Sequence, residues 1–175
     1  MESFKELARR RRSHRSFTDE SVSEEDVRTI LRAALMSPTA KGQRKWRFVV
    51  TDSKDRISRL SEIREAGSQF VAGAPVVIAV LGDPREQELW IEDGAIAAVS
   101  MQYQAEDLGL GSCWCHVRGR NSKEAGVSAE EKVREILGIP AECSVLCLIA
   151  VGHPADERKP QDEDALKWDR VSYVH

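Results

Sequence analysis

From Arg11 to Ser16 the chain reads Arg-Arg-Ser-His-Arg-Ser, which places three guanidinium groups and two hydroxyls within six residues. Guanidinium forks bind phosphate oxygens in pairs, and a neighbouring hydroxyl adds an uncharged donor, so the segment has the chemistry of a cradle for one phosphate group. Taken alone, the plainer reading is a solvated basic helix end, because arginine runs carry no obligatory geometry. Nucleic acid as the partner is disfavoured. The chain holds 26 Lys and Arg against 29 Asp and Glu, a formal net charge of -3, and no aromatic side chains are interleaved with the cluster.

A second chemically suggestive stretch is Cys113-Trp114-Cys115-His116. Alternation along a strand puts Cys113 and Cys115 on one face and Trp114 and His116 on the other, and no further close Cys or His pair completes a four-ligand site, so no metal is expected. Cys143 and Cys147 sit in an apolar run and read as core residues. None of the four cysteines forms a CxxC pair, and they are expected to be reduced. Gly109-Leu110-Gly111-Ser112 has two glycines two apart but follows a helix and enters a strand, the reverse of a dinucleotide-binding turn, so it reads as a helix C-cap. The chain contains no GxSxG, no P-loop and no HExxH, which leaves hydrolase and NTPase chemistry without support.

These residues need a scaffold, and 175 residues with 41% hydrophobic and 31% charged content are enough for one domain with a real core. Helical spacing is predicted over Ser3–Arg12, from the Ser23 cap to Ser37-Pro38, over Lys54 to about Gly67, over Glu88–Leu108, and from Ser128 through Leu137. The runs WRFVVT, VVIAVL, SCWCHV and SVLCLIAV are predicted strands, and a weak alternation at Val171, Tyr173 and Val174 is a possible fifth. The helix from Glu88 carries apolar residues on more than one face, so it is expected to be buried on several sides. No run approaches a membrane span, and the charged opening MESFKELARRRR lacks an apolar signal segment, so the expected location is the cytoplasm. With no repeat and no linker, residues 1–175 read as one α+β unit.

Taken in order, four pieces of this sequence resemble the flavin-dependent nitroreductase family in its compact, short form. They are a short helix running into RRSHRSF, a helix ending in SPTAKGQRKWRFVV, a long helix leading to LGLGSCW, and a late strand ending VGHPADERKP. The resemblance spans essentially the whole chain. It implies a three-layer α+β fold, a central and mostly antiparallel sheet of four to five strands flanked by helices, and a homodimer holding FMN at the interface. It also implies hydride transfer from NADH or NADPH through the flavin to a small acceptor, such as a nitroaromatic or a quinone, in a ping-pong cycle. The flavin carries the redox chemistry, so no catalytic residue is named.

Carried onto this chain, the resemblance gives Arg11, Arg12, Ser13 and Arg15 to the phosphate and ribityl chain, and Pro38, Thr39 and Ala40 to a turn contributed by the partner subunit. It lays Trp114, Cys115 and His116 beside the isoalloxazine, and brings Gly152, Arg158 and Lys159 back toward the cofactor. One departure stands out. Where family members often have Asn followed by Gln-Pro-Trp, this chain has Gly42-Gln43-Arg44-Lys45-Trp46, which replaces an amide by glycine and a proline by lysine. The added charge of Arg44 and Lys45 would favour an anionic flavin or an anionic substrate. The same turn is the argument for an alternative, a flavin-holding redox sensor or carrier without small-substrate turnover. A more distant alternative is a basic-helix module that binds a polyanion through Arg9–Arg12.

Overall fold

The computed structural model describes residues 3–175; Met1 and Glu2 of the charged opening segment lie outside the described residues. Four strands form one sheet: β1 (Arg47–Thr51), β2 (Val76–Gly82), β3 (Gly111–His116) and β4 (Ser144–Gly152). Their spatial order is β1-β2-β4-β3, and every neighbouring pair is antiparallel. The two central strands are the two longest apolar runs of the sequence, and nearly every residue in them is buried. Both sheet faces are therefore covered. Val77, Ala79 and Leu81 of β2 point into one core, which they share with Ile57 and Leu60 of α3 (Lys54–Ser61) and Val133 and Ile136 of α5 (Ala129–Leu137). Val76, Ile78 and Val80 point the other way, onto Ile30 and Ala34 of α2 (Glu24–Leu35) and Ala97, Ala98 and Met101 of α4 (Trp90–Asp107). The result is the expected stack of helices, sheet and helices.

The helix ends follow their sequence signals. Ser3, Ser23, Ser53 and Ser128 each cap a helix through the side chain. Ser128 forms a full capping box with Glu131, and Gly138 closes α5 in the left-handed conformation. Gly109 ends α4 at φ 76°, as a C-cap glycine should.

Two expectations are corrected. The helix predicted over Lys54 to about Gly67 stops at Ser61, because the buried Ser68 hydroxyl takes the Ser61 carbonyl at 2.7 Å and the chain turns instead. The alternation at Val171–Val174 forms no strand within the protomer; those residues are exposed and follow two short 3-10 turns, with nothing of their own chain paired beside them. Among the described residues, no helix is long and apolar enough to cross a membrane.

Candidate functional site

Apart from Trp114, Cys115 and His116 on β3, the residues singled out in the sequence fall into two groups, one at each end of α4. The first group collects where the N-terminal segment crosses the end of the sheet. The helix α1 (Phe4–Arg10) is fastened to the C-terminal end of α4, with Arg10 Nη1 at 2.9 Å from Oε1 of the buried Glu106 and the Phe4 and Tyr103 rings 5.1 Å apart. After α1 the backbone runs onto the edge of β3: Ser13 bridges to Ser112, and the His14 N–H donates to the Ser112 carbonyl at 3.0 Å. It then meets the segment leaving β4, where Phe17 bridges to Pro154 and the Ala155 N–H donates to the Ser16 carbonyl at 3.0 Å.

The crossing is close because Gly111 and Gly152, partners across the β3–β4 ladder, leave room for it. A Cβ on Gly111 would lie 2.9 Å from His14 Cβ, and one on Gly152 would lie 2.5 Å from Pro75 Cδ and 3.0 Å from Phe17. Gly152 therefore serves by its missing side chain.

This crossing brings Arg11, Arg12, Ser13, Arg15, Gly152, Arg158 and Lys159 together. Arg12 Nη1 donates to the Lys159 carbonyl, which ties the returning tail to the cluster. The buried His14 ring sits at 3.0 Å from Asp156, and Asp156 in turn holds Arg158 at 2.6 Å. The hydrogen bond from His14, with the charge of Arg158 behind it, keeps the Asp156 carboxyl below the usual range. Cys113 reports the local field: burial pushes its thiol up, while Arg15, the Ser13 hydroxyl, Arg11 and Arg158 oppose the shift. Among the described residues, Arg11, Arg12 and Arg15 have no carboxylate within ion-pair distance; Arg15 instead lies over the Phe70 ring at 5.9 Å. A cluster of unneutralised guanidinium groups with a serine hydroxyl fits the phosphate of a flavin mononucleotide.

Along β3, Trp114 packs toward the α4 side of the sheet and Cys115 toward the α3 and α5 side, as alternation requires. Trp114 Nε1 donates to His116 Nδ1 at 3.3 Å. Burial, then the charges of Arg120 and Arg64, lower the pKa of His116. Burial raises Cys115 to about 11, so this thiol is protonated at neutral pH.

The second group, Pro38, Thr39, Ala40 and Gly42, forms the turn after α2. Lys41 (φ 54°), Gly42 (φ 65°) and Arg44 (φ 52°) all adopt left-handed backbone, an uncommon state for the two non-glycine residues. Two side chains missed in the sequence grip this turn. Asp93, buried inside α4, accepts the Ala40 N–H at 2.9 Å, and Gln87 reaches the Ala40 carbonyl at 3.5 Å and Gln43 Oε1 at 3.3 Å. Among the described residues, the other Asp93 oxygen and Trp46 Nε1 have no hydrogen-bond partner, and both are buried. The available sequence signal was an acidic residue in the middle of the run WIEDGAIAAV, one that a purely apolar helix has no use for.

Asp93 and Glu106 are 13 residues apart on α4, so the two groups are separated by about 20 Å along the helix. Within one chain they do not converge. Between them α4 exposes the apolar side chains of Ile96 and Val99, with Leu89 exposed just before the helix and Leu35 and Met36 exposed at the end of α2.

Comparison with known proteins places this geometry. The profile of the nitroreductase family matches residues 8–67 and 56–153. A relative from Archaeoglobus fulgidus, provisionally named an NADH dehydrogenase/NAD(P)H nitroreductase, is 31% identical over 166 residues, 92% of this chain and 91% of its own. The solved FMN-dependent nitroreductase of Clostridium difficile superposes with a TM-score of 0.93 at 37% identity, covering 97% of this chain and 98% of that one. A provisionally named nitroreductase from Desulfovibrio desulfuricans, solved in complex with FMN, superposes at a TM-score of 0.76 and 27% identity over 100% of this chain and 98% of its own. The chain belongs to the nitroreductase family.

Proposed function

We propose that this protein is an FMN-dependent oxidoreductase that takes hydride from NADH or NADPH and passes it to a small acceptor such as a nitroaromatic or a quinone. When bound, FMN supplies the two-electron chemistry. The chain itself binds, orients and shields. Arg11, Arg12, Ser13 and Arg15 hold the phosphate and ribityl end, with Arg158 and Lys159 closing over them from the returning tail and Gly152 giving the crossing its room. Trp114 and His116 flank the ring along β3, and Cys115, whose side chain is turned into the core on the other face, contributes backbone there. Pro38, Thr39, Ala40 and Gly42 complete the site from a second copy of the chain.

The observation that carries the dimer is the separation of about 20 Å between the two groups, with an exposed apolar stripe between them. A homodimer whose copies meet along α4 covers that stripe and lets each end of one helix face the opposite end of its partner. The exposed Trp168, Val171, Tyr173 and Val174 of the tail are further apolar surface for a second copy to cover. The free, buried cysteines suit a reducing compartment, and we place the protein in the cytoplasm. The whole chain acts as one FMN-binding domain.

The test is direct. Purified protein is expected to be yellow, with about one FMN per chain by absorbance, and to bleach on anaerobic addition of NADH or NADPH and recolour with an acceptor. Protein that holds FMN but is bleached by neither nucleotide is a carrier and not the enzyme proposed.

A further inference from the structure

A second set of unneutralised cations stands at the other end of β3. Arg64 Nη1 donates to the His116 carbonyl at 3.1 Å, on the outer edge of the sheet. The loop that follows, Arg118-Gly119-Arg120, carries two exposed guanidinium side chains and turns through Gly119 at φ 67°. Its backbone is fixed at both ends. The Val117 and Arg118 N–H groups both donate to the Leu146 carbonyl, at 3.3 and 3.1 Å, and the Arg120 carbonyl accepts the Ala129 N–H at 2.8 Å. Lys123 pairs with Glu62 at 3.7 Å, which fastens the loop to the segment holding Arg64.

Among the described residues, none of the guanidinium groups of Arg64, Arg118 and Arg120 has a carboxylate within ion-pair distance. The nearest acids in sequence are Glu62, engaged by Lys123, Glu124, engaged by Lys132 at 2.6 Å, and Glu65, which is exposed and among the described residues has no ion pair.

This set is distinct from the Arg11, Arg12 and Arg15 cluster. Ser13 lies on Ser112, four residues before His116, so the two sets are about 13 Å apart along the strand. One phosphate group does not reach both. The flavin of the proposed function has one phosphate, which leaves the second set without an anion.

We infer that Arg64, Arg118 and Arg120 form the site for the 2′-phosphate of a phosphorylated nicotinamide dinucleotide, so that this chain uses NADPH in preference to NADH. The inference rests on the proposed flavin function and names its reductant. The monoester fits better than the pyrophosphate the two nucleotides share: it carries close to two negative charges on three terminal oxygens, enough to engage several guanidinium forks at once.

The test uses the FMN-loaded protein and compares the parent with the double substitution Arg118→Ala, Arg120→Ala. Both side chains are exposed on a loop held by backbone bonds, so the fold is expected to persist. The ratio of kcat/KM for NADPH to that for NADH is expected to favour NADPH in the parent and to fall in the variant by a factor on the order of thirty or more. A readout independent of turnover is calorimetric titration with 2′,5′-ADP and with 5′-AMP. The parent is expected to bind the bisphosphate more tightly, and the variant to lose that difference. The double substitution to lysine is expected to restore part of it. A parent that does not discriminate between the nucleotides, or a variant with an unchanged ratio, overturns the inference. An equal loss with both nucleotides also overturns it, because it puts the arginines on a shared part of the ligand. Colourless, flavin-free parent protein instead sinks the underlying function, and is seen before any nucleotide is added.

Discussion

Replacing Asp93 by alanine separates the stability of the fold from the shape of the turn after α2 that is proposed to face the flavin. In the parent, Oδ1 holds the Ala40 N–H at 2.9 Å while Oδ2 is buried with no hydrogen-bond partner among the described residues. A hydrogen bond to a charged acceptor contributes about 1.5–3 kcal/mol, and an unsatisfied buried polar atom costs about 1–3 kcal/mol. The two terms oppose each other, so the net change in folding free energy is expected to be within about 2 kcal/mol. For a chain of this length that is a shift in Tm of roughly 8 °C or less.

The turn itself loses its anchor with no such offset. Lys41 and Arg44 hold left-handed backbone that costs roughly 1–2 kcal/mol per residue, and without Asp93 that strain is free to relax. The Ala40 amide is therefore expected to exchange with solvent about 10- to 100-fold faster, and FMN to bind about tenfold more weakly because the turn must be ordered again on binding. Hydrogen exchange resolved at Ala40, with FMN titration of the flavin-free protein, measures both. Asp93→Asn keeps an acceptor and is expected to fall between parent and alanine. Unchanged exchange at Ala40 in the alanine variant would refute the reasoning, and so would faster exchange with undiminished FMN affinity.

Arg12→Ala and Arg15→Ala are each expected to weaken FMN binding roughly tenfold or more, since each removes a charge-assisted contact to phosphate; tight binding by both variants would put the phosphate elsewhere. Ile96→Asp with Val99→Asp is expected to shift the protein from dimer to monomer in sedimentation and to release FMN with it, because the apolar stripe of α4 then carries charge. Asp83, held by Arg85 at 2.7 Å, has its carboxyl pulled down to about 2. The folded-state value lies below the unfolded one, so this contribution is present above about pH 4 and is lost as pH falls toward 2. Asp83→Asn is expected to lower stability at pH 7 and to flatten the acid limb of a stability curve followed by circular dichroism. Cys113→Ala with Cys115→Ala is expected to leave flavin reduction and reoxidation within a few-fold of the parent, because burial keeps both thiols protonated. Collapse of either half-reaction with FMN still bound would instead make the pair a redox relay.

The scaffold was legible where local physics is strong. The runs at Val76–Gly82 and Ser144–Gly152 are apolar because both of their faces are covered, and the serine caps at positions 23 and 128 open helices where the side-chain rule puts them. Legibility failed where a distant residue decided the outcome. Helical spacing continues past Ser61 through Ile63, but the hydroxyl of Ser68 takes the carbonyl that the next turn of helix would have used. At the tail, alternation announces a strand, yet strand formation needs a neighbour, and within one copy the tail has none beside it. Periodicity reports what a segment is able to become, and the partner decides whether it does.

The same distinction applies to the site. The arginine cluster was visible because its members are adjacent in sequence, but the reasons it stands where it does were not. Glu106 holding Arg10, Asp156 holding His14 and Arg158, and the Gly111–Gly152 pair all act across long sequence separations. Asp93 and Glu106 are the two acids buried in α4 whose partners lie far away in sequence, one gripping the 39–44 turn and the other the start of the cationic cluster. Each pairs a charge with an N–H or a guanidinium inside an apolar helix, where an unpaired carboxylate would be costly. One helix thus fixes both halves of the proposed flavin site at a set spacing, and in the proposed homodimer a second copy of that helix is what brings opposite halves together. The acidic positions of α4, more than its apolar ones, carry the information about function.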